Sequence, residues 1–125
     1  MQELTVRQGI LVVAELVREA SEDRETVGVL LHGSRAGGIA QPGPDYDVIR
    51  IVTDGEYERR RRSGTVRGRL PVAADRSVDV LHRTLSSIER HVAEPGRSTA
   101  SYLYGRLVHD PTGEVARLLE RLAAA

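Results

Sequence analysis

The stretch Thr26 to Thr53, TVGVLLHGSRAGGIAQPGPDYDVIRIVT, decides the fold. Its first seven residues, Thr26 to His32, form a short apolar run, β-branched at its start, which predicts a buried strand. The run stops abruptly at Gly33-Ser34. Arg35 to Pro44 is crowded with glycine and proline, so it predicts a loop, with room for one helical turn at its start. Tyr46 to Thr53 is rich in Val and Ile and predicts a second strand, ended by Asp54-Gly55. Side chains alternate along a strand, so Asp45 and Asp47 are expected on one face. Two carboxylates on one face repel and call for a cation, and an oxygen-rich donor set suits Mg²⁺ or Mn²⁺. Gly33 lets the backbone approach a ligand closely, and Ser34 offers an N–H and a hydroxyl to a phosphate oxygen.

A third carboxylate lies further along. Ser77 to Arg83 (SVDVLHR) predicts a third strand, with Asp79 between Val78 and Val80. A charge in such a run is costly unless it is paired or metal-bound. If this strand lies beside the second, Asp45, Asp47 and Asp79 converge at the sheet edge. That arrangement would hold two metal ions for an in-line displacement at phosphorus.

Around this centre the pattern is helical. Residues 4–20 predict an amphipathic helix with Ile10, Val13, Ala14 and Val17 on one face. Glu56 to Arg62 predicts a helix, and Thr84 can cap another that runs through Glu94. Ser98 to Gly105 is helical in character, and Arg106 to His109 is a strand or a turn. Pro111 to Ala125 predicts a last helix with Val115, Leu118, Leu119 and Leu122 as its stripe and Thr112 as its cap. Ser63 to Ala74, interrupted by Gly64, Gly68 and Pro71, carries no readable period. The expected class is α+β: a small mixed sheet with helices packed mainly on one face, in a single domain over residues 1–125.

Composition narrows the chemistry. The 125 residues include no Cys, which excludes a disulfide scaffold, a thiol nucleophile and a cysteine-ligated zinc. All 18 cationic residues are arginine. Without lysine there is no P-loop and no Schiff-base chemistry. Phosphate handling must fall on arginine, backbone N–H, hydroxyl or metal. The net charge is zero, so no global nucleic-acid footprint is present. With four Tyr and no Phe or Trp, the core is aliphatic and a base-stacking platform is not expected. No apolar run approaches the ~20 residues of a membrane span. With no signal-peptide pattern either, a cytoplasmic location is the expectation.

The segment HGSRAGGIAQPGPDYDVIRIV, followed at a distance by VDV, resembles the polymerase-β-type nucleotidyltransferase superfamily, in particular its minimal nucleotidyltransferase group. The shared signature is an apolar strand, Gly-Ser, about ten residues, Asp-x-Asp with an apolar run, and a third Asp on a later strand. Gly33, Ser34, Asp45, Asp47 and Asp79 match it. Tyr104 to Gly113 (YGRLVHDPTG) is similar, more weakly, to a glycine-arginine-apolar-Asp ending in many members. Two positions depart: Gly37 stands where the family often has Arg, and Pro44 where it often has Ser. Both fall on the phosphate-side loop, and neither removes a carboxylate.

The resemblance implies attack of an acceptor hydroxyl on the α-phosphorus of a nucleoside triphosphate, with ATP the expected donor, and release of pyrophosphate. Asp45 and Asp47 would hold the metals between them. Asp79 would ligate the catalytic one and help activate the hydroxyl. Gly33 and Ser34 would hold the terminal phosphates, with Arg35 as a further phosphate contact or a solvated loop residue. Larger members add a helical domain that binds acceptor or base. Here a partner chain or a second copy is expected to complete the site. Related small proteins act as antitoxins that add AMP to a tyrosine of a HEPN-like toxin, so such a partner is one alternative. A non-catalytic adaptor that retains the fold is another. Asp79 has a bland reading as well, a strand carboxylate paired with an arginine. So does the run Arg59 to Arg62, with Arg67 and Arg69: a solvated helix face neutralised by Glu56 and Glu58, against a face turned to RNA or a partner.

Overall fold

β-Branched runs become strands, and the segments with a 3.6-residue period become helices. The computed structural model describes residues 13–32, 46–73, 76–96, 99–103 and 105–124. After a helix over residues 13–22 (α1) come β1 (Thr26–His32), β2 (Tyr46–Val52), α2 (Asp54–Ser63), β3 (Arg67–Ala73) and β4 (Arg76–Arg83). They are followed by α3 (Leu85–Ala93), α4 (Thr99–Leu103), β5 (Arg106–His109) and α5 (Glu114–Ala124). The described strands form one mixed sheet in the order β3-β4-β2-β1-β5. β2 is central. It pairs antiparallel with β1 and parallel with β4. A parallel pair needs a crossover, which α2 and β3 supply.

Pairing register sorts the side chains onto two faces. Leu30 pairs with Ile49, and Ile49 with Leu81, so these share a face with Ile51. Ile88 of α3, Tyr102 of α4, and Val115, Leu118 and Leu122 of α5 pack with Leu30, Ile49 and Ile51 in one cluster. Each fully buried aliphatic side chain there contributes roughly 1.5–3 kcal/mol. The opposite face carries Val29, Val48 and Val78 and is covered by Val13 and Ala20 of α1, with Leu16 and Val17 beside them. Three helices thus cover one face and one covers the other. α2 buries no residue and flanks the sheet.

Caps explain the helix starts. The Thr53 hydroxyl accepts the Glu56 N–H at 3.3 Å to open α2, and Gly64, at φ 73°, closes it in the left-handed region. Thr84 caps α3 as expected, accepting the Ser87 N–H at 3.2 Å. At α5 the main cap differs from the expected Thr112. The Asp110 carboxylate accepts the N–H groups of Val115 (3.2 Å) and Ala116 (3.0 Å), while Thr112 accepts only that of Glu114 (3.3 Å).

Two further differences have clear causes. β3 lies where no period was readable. It is an edge strand, where proline costs no ladder hydrogen bond on the open side, so Gly68 and Pro71 are tolerated. In α1, Ala14 is exposed and the buried stripe runs through Val13, Leu16, Val17 and Ala20. Tyr102 is core: it is 4% exposed, and its hydroxyl lies 3.0 Å from that of Ser87. No helix among the described residues is long and apolar enough to cross a membrane.

Gly28 is where β1 meets α5. A Cβ there would lie 2.7 Å from Val115 Cγ2 and 3.0 Å from the His109 carbonyl oxygen. Gly28→Ala is therefore expected to lower unfolding free energy by about 1–3 kcal/mol in chemical denaturation, through overpacking. An unchanged midpoint would show that α5 does not seat on β1 this closely.

Candidate functional site

β2 and β4 bring two of the expected site residues together. In the parallel register Asp47 pairs directly with Asp79. Directly paired residues project to the same face, and neighbouring strands lie about 4.8 Å apart. The two carboxylates therefore stand side by side, on the same face as Ile49 and Leu81 but beyond the aliphatic cluster. The row extends in both directions. His32, the last residue of β1, is the register partner of Asp47, and Arg69 of β3 is the register partner of Asp79. Asp47 and Asp79 are both partly exposed, so water and a ligand can reach them.

Asp79 already has a cationic neighbour. Arg69 Nε donates to Asp79 Oδ1 at 2.9 Å. The bland reading of Asp79 as an arginine-paired strand carboxylate is thus realised in part. The pair is loosely held, because the Arg69 side chain is 69% exposed. Exposed pairs of this kind contribute about 0–1 kcal/mol, so Arg69 is a counter-ion that a stronger cation can displace. In the sequence Arg69 belongs with Arg67 to the Arg59–Arg62 charge cluster; its place beside Asp79 was not legible, because the strand that carries it was not legible. The usable signal is the alternation Arg67-Gly68-Arg69 ahead of the strand bearing Asp79.

Gly33, Ser34, Arg35 and Asp45 lie outside the described residues. Their sequence neighbours are in place: Gly33 follows His32, Asp45 precedes Tyr46, and His32 and Asp47 are register partners on adjacent strands. Among the described residues no group of three or more His, Asp or Glu is gathered closely enough to hold a metal ion. The described part of the carboxylate set is the pair Asp47 and Asp79. Two partly exposed carboxylates side by side offer hard oxygen donors, which is the donor chemistry Mg²⁺ or Mn²⁺ requires.

The arginine run of α2 is largely neutralised. Arg59 lies 3.7 Å from Glu25 and 3.5 Å from Glu56, Arg60 Nε lies 3.3 Å from Glu56, and Arg61 Nε donates to Glu58 at 3.1 Å. This matches the solvated-face reading of the run. No protein-family model matches the chain, and no curated protein shows significant similarity to it.

Arg69→Ala separates a structural from a ligand-binding role for Asp79. The substitution is expected to change unfolding free energy by less than about 1 kcal/mol. A loss of several kcal/mol in urea titration would make the Arg69–Asp79 pair a structural clamp.

Proposed function

We propose that the chain is a divalent-metal-dependent nucleotidyltransferase that moves a nucleoside monophosphate, AMP from ATP in the leading version, onto an acceptor hydroxyl. The observation that carries the reading is the direct register of Asp47 with Asp79 across a parallel strand pair. The sequence supplies a second support, in that Gly33-Ser34 directly follows His32 and Asp45 directly precedes Tyr46, at the spacing of the nucleotidyltransferase signature.

In this reading Asp47 and Asp79, with Asp45, hold Mg²⁺ or Mn²⁺ through carboxylate oxygens. A cation held there would supply positive charge against the phosphates and would make an acceptor hydroxyl more acidic. The chain's own residues do the rest. The Gly33-Ser34 turn presents N–H and hydroxyl donors to the terminal phosphates, with Arg35 beside it. Asp79 orients the acceptor side of the site, and Arg69 is the counter-ion that a cation held there would replace. The acceptor oxygen bonds to the α-phosphorus, the bond to the β-phosphate oxygen breaks, pyrophosphate departs with that electron pair, and the hydroxyl proton goes to solvent. In-line placement of the two reactants supplies much of the acceleration. The acceptor completes the site from outside the described residues. A partner chain or a second copy would supply that part, and a HEPN-like protein as acceptor is the alternative version of the reading.

Coupled binding tests this. ATP with Mg²⁺ is expected to raise the unfolding free energy, by about 2.7 kcal/mol at a hundredfold excess over Kd. ATP alone or Mg²⁺ alone should give far less. In Asp45→Asn/Asp47→Asn the coupled gain should vanish while the fold persists. No shift with any nucleoside triphosphate, or an equal shift in the double variant, would overturn the proposal.

A further inference from the structure

The sheet face opposite Asp47 and Asp79 holds a second feature. His82 is the register partner of Arg50, and both lie on the face of Val48 and Val80. Together with Arg60 of α2, Thr65 and the edge strand β3, they line an open groove of about 290 Å³. On that face its lining contains Arg50 of β2 and Arg60 of α2 and no acidic residue, while β3 borders it at Gly68, the register partner of Val80; Arg67 and Arg69 pair in register with Leu81 and Asp79 and so belong to the carboxylate face. Counter-ions lie outside it. Arg50 is anchored by Asp23 and by the Thr26 hydroxyl at 2.7 Å, Arg60 pairs with Glu56 and Arg69 with Asp79. Arg67 has no ion pair among the described residues.

The floor of the groove reports this concentration of positive charge. His82 is 4% exposed, and its Nδ1 lies 2.9 Å from the Val66 carbonyl. A carbonyl only accepts, so Nδ1 carries the proton. Nε2 and the nearby Arg60 Nε are both buried without a hydrogen-bond partner among the described residues. Burial pushes the imidazole below its ordinary range. The Val66 carbonyl opposes that, and the charges of Arg60 and Arg50 add to it, with Glu56 acting weakly the other way. An anion in the groove would relieve this field.

We propose that this groove is a binding site for the phosphate group of a small ligand, separate from the carboxylate pair on the other face. Two arginines from different elements, Arg50 and Arg60, with the Thr65 hydroxyl and the unpartnered Nε2 of His82, suit a tetrahedral anion with several acceptor oxygens better than a planar carboxylate, which one arginine can satisfy. The volume admits a phosphate with a small organic group. The site does not rest on the nucleotidyltransferase reading.

The test follows the His82 ring signals by NMR while inorganic phosphate, ribose 5-phosphate or acetate is added at constant ionic strength, with chelator present and no divalent metal. Phosphate and the phosphate ester are expected to shift His82 saturably and to raise its titration midpoint. Acetate should do neither. Tighter binding of the ester identifies an organic phosphate as the ligand, and equal binding identifies the free ion. Arg60→Gln, on a helix that buries no residue, is expected to weaken binding about tenfold or more. Arg67→Gln, which removes a charge from the exposed edge strand without touching the groove face, provides a second variant, expected to weaken it less. Asp47→Asn should bind phosphate as the parent does, which keeps this result independent of the carboxylate site. A His82 response that is absent, linear in salt, or equal for acetate would overturn the proposal, as would undiminished binding in both arginine variants.

Discussion

A slip of one residue between β2 and β4 would set Asp47 beside Val78 or Val80 and put the carboxylates on opposite faces of the sheet. The candidate site therefore depends on register before it depends on any side-chain contact. The same register sets Ile49 beside Leu81 and keeps Ile51 on the helix-covered face, so the aliphatic core selects it. Packing, which is non-specific in chemistry, thereby determines which two carboxylates become neighbours.

That arrangement has a cost, and its size shows how it is tolerated. Two carboxylates about 5 Å apart repel by about 1–3 kcal/mol for effective dielectrics between bulk water and a protein surface. Burial of one isoleucine such as Ile51, which is 0% exposed, offsets that. Arg69, 2.9 Å from Asp79, reduces the repulsion further. The two faces of the sheet thus carry opposite electrostatics. Acidic side chains pair on the face covered by α3, α4 and α5, and an arginine-lined groove opens on the other. Arg69, on the edge strand beside the groove, belongs to the acidic face, where it holds Asp79.

Much of this was legible in the chain. β1, β2 and β4 announced themselves through unbroken Val, Ile and Leu runs, and the α5 stripe through Val115, Leu118 and Leu122. The proximity of Asp47 and Asp79 was conditional on a strand order that local pattern cannot supply, because pairing is a property of distant segments. β3 was illegible because edge strands tolerate Gly68 and Pro71, which otherwise argue against strand. Asp110 escaped notice as the α5 cap because it reaches the helix across a Pro-Thr-Gly turn. The burial of His82 was hidden for a related reason: its cover comes from α2 and β3, elements that only the tertiary fold brings over it.

The most direct test of the paired carboxylates is paramagnetic broadening by trace Mn²⁺ in a backbone-assigned NMR spectrum. The account predicts that the first amide signals lost are those of His32, Asp47 and Asp79, the row that crosses β1, β2 and β4, and that Asp47→Asn with Asp79→Asn abolishes the effect. Broadening centred instead on exposed acidic helix positions such as Glu22 or Glu120, or unchanged in the double variant, would contradict it.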